Sequence, residues 1–180
     1  DMDLSLIRHK LNTLLPASIA IGSVMQVQDN AHARCDALSR TYQYIMVTEK
    51  DPFLTDRAYR SNIQLNVDAM NKAAQHMLEH DHFASFCKAR ADNRTDICKL
   101  TKAEWRQVDK KLIFTIKADR FLRNMVRAIV GTLLEVGKGE MEADEIHDVI
   151  TKRDRRAAGV SVPAHGLYLN EVEYPKTVYK

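Results

Sequence analysis

The chain of 180 residues carries a formal net charge of +3 and contains 45% apolar and 28% charged residues. These proportions are ordinary for a folded protein, and the mild positive charge permits a nucleic-acid partner without requiring one. Three cysteines without a C-x-x-C pair favour reduced thiols and a cytoplasmic protein over a disulfide framework. The longest uncharged stretch, residues 11–28, is interrupted by Pro16 and Gly22, which excludes a membrane span, and the N-terminus has no signal-peptide pattern.

The order of the predicted elements indicates the fold class. Leucines at helical spacing from Leu4 predict a first helix that Pro16 ends. The remaining elements are predicted in chain order as strands over 19–27 and 40–47, a helix over 67–79, a hairpin of 97–108 and 111–117, helices over 120–136 and 143–152, and a strand over 167–173. This order predicts one α+β domain over residues 1–180, with a largely antiparallel sheet and helices packed on one face.

The longest predicted helix carries arginines at a regular spacing. It is expected to end at Gly137, and Arg120, Arg123 and Arg127 at i, i+3 and i+7 would share one of its faces. This face is either solvated or directed at phosphates or a buried carboxylate. Arg127 stands among apolar neighbours and is therefore expected to be half-buried and to need an acidic partner.

Two further basic segments suggest contact with nucleic acid. Arg34 lies in a loop, and Arg40 begins a strand that also carries Tyr42. Basic side chains next to an aromatic ring can hold the phosphate of a nucleotide while the ring stacks on its base. A sheet tyrosine with solvated arginines is the alternative. Lys88 and Arg90 lie in a later loop, which is equally consistent with a solvated surface.

Histidines near the end of the second predicted helix raise the question of a metal site. His76 and His80 share a helix face and His82 follows, but no second ligand pair occurs at a recognised spacing, and histidine is favourable at a helix C-terminus. No metal is therefore predicted, and no cofactor, because phosphate-binding glycine motifs are absent from the sequence. Acidic residues at the start of the following short helix are interpreted as structural: Asp144, Glu145 and Asp148.

Five segments follow one another along the chain: residues 11–21, 32–44, 83–86, 121–131 and 166–169. In this order they resemble motifs of the TruA family of tRNA pseudouridine synthases. The fourth reads F-L-R-N-M-V-R-A-I-V-G, which is similar to the family's F-x-x-x-M-V-R-x-I-V-G. The order and the near-complete fourth motif make coincidence improbable.

The resemblance implies an isomerase that converts uridine to pseudouridine in the tRNA anticodon stem-loop, at tRNA positions 38–40, without metal or organic cofactor. It implies a homodimer that holds tRNA, with the target uridine flipped out of the stack. By motif position, Tyr42 takes the place of the ring that stacks on the base, and Arg127 that of the arginine paired with the nucleophilic aspartate. The basic approach surface is then expected to comprise Arg34, Arg40, Lys88, Arg90, Arg120 and Arg123.

The family's nucleophile motif, R-T-D-A-G-V-H, has no counterpart in the sequence. Residues 94–96 repeat its first three letters but continue differently and follow the third motif instead of preceding the first, so Asp96 is not interpreted as the nucleophile. The chain is therefore expected to be a C-terminal part that is inactive alone. The alternative is a non-catalytic module for structured-RNA binding or dimerisation, in which Arg127 would be satisfied within the chain or exposed.

Overall fold

The computed structural model describes residues 3–88 and 94–180. Its helices are α1 (Leu4–Leu14), α2 (Val67–His76), α3 (Met125–Gly137) and α4 (Ile146–Thr151), and its strands are β1 (Ser39–Val47), β2 (Tyr59–Arg60), β3 (Leu100–Val108), β4 (Lys111–Ala118) and β5 (Leu167–Glu173). Chain contacts divide the protein into two compact units, residues 1–37 with 174–180 and residues 38–173. That residues 1–180 form one domain stays a prediction. No helix in the described ranges is long and apolar enough to cross a membrane.

The sheet in the larger unit is built around β1. This strand pairs antiparallel with β4 and with β5, and its end pairs parallel with β2, while β3 lies at the far edge next to β4. The β3–β4 hairpin turns at Asp109, whose φ of 54° is the positive value that such tight turns require. The predicted α+β fold with a largely antiparallel sheet is confirmed.

The core lies between one face of the sheet and the helices. Tyr44, Phe114 and Trp105 are cross-strand neighbours on this face and all are buried. Helices α2, α3 and α4 supply the opposing apolar side chains, and α3 is buried at every residue except Arg127 and Glu135. Helices packed on one face are therefore confirmed.

Polar side chains of α2 fasten this helix to the edge strand of the sheet. Asn66 caps the helix, accepting a hydrogen bond of 3.0 Å from the Ala69 N–H. Asn71 exchanges two hydrogen bonds with the backbone of Trp105, of 2.7 and 3.1 Å, and Gln75 donates to the Ala103 carbonyl at 2.9 Å. These bonds satisfy backbone groups that an edge strand would otherwise leave unpaired.

The predicted strand over residues 19–27 is wrong. Its backbone is irregular, and Val27 makes only an isolated bridge, to Tyr179. The side chain of Asn12 accepts from the Ile21 N–H at 2.7 Å and donates to the Ile21 carbonyl at 3.0 Å. An amide side chain thus occupies the backbone groups through which a neighbouring strand would pair.

The long helix begins at Met125 and not at residue 120, so the predicted arginine face does not exist. Asp119 accepts hydrogen bonds from the backbone of Lys99 and of Arg120, at 2.8 and 2.7 Å, which holds the chain outside the helix. Asn124 then takes a left-handed conformation with φ 69° immediately before the first turn. At the other end, Gly137 is the last helical residue, and the left-handed φ of 75° belongs to Gly139.

Candidate functional site around Arg127

Arg127 is half-buried, whereas its neighbours on both sides in α3 are buried. Its Nε donates a hydrogen bond of 2.6 Å to the Val162 carbonyl, and the Val162 N–H donates to the Arg127 carbonyl at 3.2 Å. This reciprocal pair orients the guanidinium through one nitrogen and leaves the two terminal nitrogens for another partner. No carboxylate of residues 3–88 or 94–180 forms an ion pair with Arg127.

The segment 159–163, whose Val162 carbonyl accepts the hydrogen bond from Arg127, lies unusually close to α3. A Cβ built on Gly131 would stand 1.8 Å from the Val160 carbonyl oxygen, so only glycine permits the contact. Two side-chain bonds fasten the same segment: Thr132 Oγ1 accepts from the Gly159 N–H at 2.9 Å, and Asn124 donates to the Ser161 hydroxyl at 2.6 Å. The position of the Val162 carbonyl therefore depends on the final glycine of the fourth motif.

Tyr44 completes the support of this segment from the sheet. Its buried hydroxyl donates to the Pro163 carbonyl at 2.8 Å. Its ring packs against Gly166, where an added Cβ would lie only 2.9 Å from Tyr44 Cζ. Burial raises the pKa of Tyr44, and the nearby charge of Arg127 acts in the opposite direction. Sequence reasoning assigned Tyr44 no role, although its spacing of two from Tyr42 places both on one face of a strand.

Tyr42 lies on the helix-covered face of β1 and is half-buried. The Tyr42 ring contacts the Phe121 ring edge to face, with 5.1 Å between the ring centroids and 89° between the ring planes. Residues i and i+2 of a strand are separated by about 7 Å. Tyr42 and Tyr44 therefore share one face of β1, and Tyr44 and Arg127 both donate hydrogen bonds to the segment 162–163.

Four of the predicted basic residues gather around the segment 119–124, which also carries Phe121. Arg40 donates to the Asp119 carbonyl at 2.8 Å, next to Arg120. Lys88 and Arg123 are exposed and joined by a backbone hydrogen bond of 2.9 Å. These four basic residues therefore lie on or beside the segment that carries Phe121, although they do not share a helix face.

Two members of the predicted basic surface cannot be placed with this group. Arg34 belongs to the smaller compact unit. Arg90 lies outside the described residues. The RNA-binding role of all six residues stays a prediction.

Asp96 and the histidines occupy other parts of the larger unit. Asp96 Oδ1 lies 3.3 Å from His82 Nδ1. The other two histidines considered as ligands both contact His147 of α4: His80 Nε2 lies 2.7 Å from His147 Nδ1, and the His76 and His147 rings are tilted against each other. Sequence reasoning did not include His147 in this cluster.

Comparison with known proteins gives this fold and site a family. Residues 73–175 match the family model described as tRNA pseudouridine synthase. The chain is 47% identical over 177 residues to tRNA pseudouridine synthase A of Parabacteroides distasonis, an alignment that covers 98% of this chain and 70% of that protein. To tRNA pseudouridine synthase A of Bacillus subtilis it is 38% identical over 168 residues, or 92% of this chain and 68% of that protein.

The chain belongs to the tRNA pseudouridine synthase family. The matched family region contains α3, Arg127 and the segment 119–124, and it begins after Tyr42. The resemblance found in the sequence motifs is confirmed.

Proposed function

We propose that this chain is the Arg127-containing part of an enzyme that isomerises uridine to pseudouridine in the tRNA anticodon stem-loop, at tRNA positions 38–40. The observation that carries the proposal is the Arg127 guanidinium, which is half-buried and oriented by Val162 while its terminal nitrogens lack a described carboxylate. A non-catalytic module would satisfy or expose this arginine. Membership of the tRNA pseudouridine synthase family supports the enzymatic function over the non-catalytic module.

The reaction breaks the bond between C1′ of the ribose and N1 of uracil, rotates the base and joins C1′ to C5. C5 then releases its proton to solvent and N1 takes up a proton, so that the product is an isomer of the substrate. The reacting atoms are inaccessible in a stacked stem, so the uridine must first be flipped out. Tyr42 supplies a ring on which the flipped base stacks, with Phe121 supporting the ring from its edge. Arg127 keeps an aspartate carboxylate ionised and oriented, because an adjacent opposite charge lowers a carboxyl pKa.

The aspartate itself is proposed to come from a segment beyond these 180 residues. The chain spans 70% and 68% of the lengths of the P. distasonis and B. subtilis relatives. Helix α1 supports a further covering segment or subunit, because none of its residues is buried and Leu14 is 82% exposed. The whole enzyme is proposed to be a cytoplasmic homodimer that needs no metal or organic cofactor for the reaction.

We expect the 180-residue chain to release no tritium from tRNA labelled at C5 of uridine, because it lacks the carboxylate that starts the reaction. The full-length gene product should release one tritium for each pseudouridine formed. Intact mass must confirm the length of the assayed chain. Activity in a chain of confirmed length would contradict the assignment of the nucleophile to another segment, and Asp96→Asn would then be the first variant to test.

Neutralising Lys88 and Arg123 together is expected to weaken tRNA binding and its salt dependence. Each lost phosphate contact lowers the slope of log affinity against log salt by about one. The measurement is fluorescence anisotropy of labelled tRNA with the Lys88→Gln/Arg123→Gln variant over a range of salt concentrations. Both side chains are exposed, so the fold should be unaffected.

The matched control is Lys110→Gln/Arg106→Gln. This variant loses the same charge at exposed positions near the opposite end of the β3–β4 hairpin from the segment 119–124. Equal salt slopes for the two double variants would show that only net charge matters and would remove Lys88 and Arg123 from the RNA surface.

A further inference from the structure

A second group of chemically capable side chains lies where the end of α2 meets α4. One donor atom each of His76, Glu79 and His147 lies within 4.8 Å of the others. His76 and Glu79 come from the last turn of α2 and the short 3-10 turn that continues it, with 3.4 Å between His76 Nδ1 and Glu79 Oε1. His147 comes from the first turn of α4. Two imidazoles and a carboxylate are the donor set of many zinc sites.

One of the donor separations already fits a zinc ion. Zinc binds nitrogen and oxygen at about 2.0–2.2 Å, so tetrahedral neighbours are separated by roughly 3.3–3.5 Å. The His76–Glu79 separation of 3.4 Å has this value. The remaining separations, of at most 4.8 Å, have to shorten by up to about 1.4 Å through rotation of side chains. Glu79 has 64% of its side chain exposed, which leaves room for that rotation and for the ion to enter.

A neighbouring polar group lies within 3 Å of one ring nitrogen of each imidazole. His80 Nε2 lies 2.7 Å from His147 Nδ1. Asp144 Oδ1 lies 2.9 Å from the buried His76 Nε2, although without hydrogen-bond geometry. Metal-binding histidines generally have their other nitrogen held in this way, which sets the ring orientation.

The ordinary explanation, histidines stabilised at a helix C-terminus, does not account for this arrangement. The helix dipole favours protonated imidazoles at the end of α2, but His147 stands at the beginning of α4, where a positive charge is unfavourable. Placement at a helix C-terminus therefore accounts for His76 but not for the His147 ring, whose centroid lies 4.7 Å from that of His76.

We propose that His76, Glu79 and His147 form a zinc-binding site, with His80 and Asp144 as positioning residues. Lys72 lies 3.1 Å from Asp144 and neutralises it, so Asp144 is not counted as a ligand. A water molecule would supply the fourth position. The ion would join α2 to α4 and stabilise the fold without taking part in the isomerisation.

The test is titration of the chelator-treated chain with Zn²⁺ by calorimetry and with Co²⁺ by visible absorption. The expected result is one ion per chain, with a tetrahedral Co²⁺ spectrum and a rise in the midpoint of thermal unfolding on adding Zn²⁺. Glu79→Gln and His147→Gln should each weaken binding by at least 10-fold. Glu79→Gln is the decisive variant, because this exposed isosteric change does not threaten folding.

The matched control is His9→Gln, which removes an exposed histidine of α1. It should leave affinity and stoichiometry unchanged. The proposal is overturned if the chain binds no stoichiometric Zn²⁺, or if Glu79→Gln and His147→Gln bind as tightly as the unaltered chain. It is also overturned if the Co²⁺ spectrum shows the intense charge-transfer band of thiolate ligands, which would assign the ion to cysteines.

Discussion

Replacing Arg127 by lysine in the full-length protein is expected to lower the rate of pseudouridine formation by about 100- to 1,000-fold, the loss typical of removing one transition-state contact. A guanidinium can donate from Nε to the Val162 carbonyl and from its terminal nitrogens to a carboxylate at the same time. A lysine ammonium cannot reproduce both directions. The measurement is single-turnover tritium release at saturating protein, so that binding does not limit the rate.

The tRNA affinity of the Arg127→Lys variant should change by no more than a few-fold, because the charge is kept and the side chain is half-buried. The control is Arg106→Lys in β3, where the arginine side chain is 70% exposed and pairs with Glu104. That variant should keep full activity. A large loss of affinity with an unchanged single-turnover rate would instead make Arg127 a phosphate-binding residue.

The same assay separates the proposed role of Tyr42 from that of Arg127. Tyr42→Leu removes the stacking surface, and stacking of one base on a ring contributes about 1–3 kcal/mol, or roughly 5- to 150-fold. Tyr42→Phe keeps the ring and its edge contact with Phe121, so it should keep most of the activity. Equal losses in the two variants would assign the function of Tyr42 to its hydroxyl and contradict stacking.

Gly131→Ala is expected to destabilise the protein by about 3 kcal/mol, the upper part of the range for overpacked cores. In a domain of this size such a loss lowers the midpoint of thermal unfolding by about 6–12 °C. An alanine Cβ would stand 1.8 Å from the Val160 carbonyl oxygen, which is backbone and can move only if the whole segment moves. The direction is opposite to the usual one, because glycine to alanine inside a helix normally stabilises by up to about 1 kcal/mol.

Thermal unfolding followed by circular dichroism measures this effect. Gly22→Ala is the control, since no atom lies within 4 Å of its added Cβ. It should leave the midpoint unchanged or slightly higher. An unchanged midpoint for Gly131→Ala would mean that the segment 159–163 is loosely attached to α3, and the support of Arg127 by Val162 would have to be given up.

The course of the chain through the larger unit follows from local patterns. Strand-forming residues predicted a strand over 40–47, and apolar residues at helical spacing predicted a long helix over 120–136, of which the part from Met125 is helical. These patterns work because burial of side chains acts at the period of the element itself. The motifs then identified Arg127 within that helix, and the half-buried position expected for it agrees with its exposure.

Element boundaries were not predictable in the same way. The helix start at Met125 depends on the hydrogen bond that the Lys99 N–H donates to Asp119, and the failed strand over 19–27 depends on the Asn12 side chain. Each of these bonds joins residues nine or more positions apart. Periodicity within a window carries no information about such partners.

The amino-acid sequence alone was sufficient to identify the family and the fold class and to predict Tyr42 and Arg127 as site residues, because these inferences rest on residue identities and short spacings. The arrangement around them required the folded chain. The Val162 carbonyl that orients Arg127 is 35 residues away, Pro163 is 119 residues from Tyr44, and His147 is 67 residues from His80. Contacts of this kind form only when packing brings distant segments together, and no local preference specifies them.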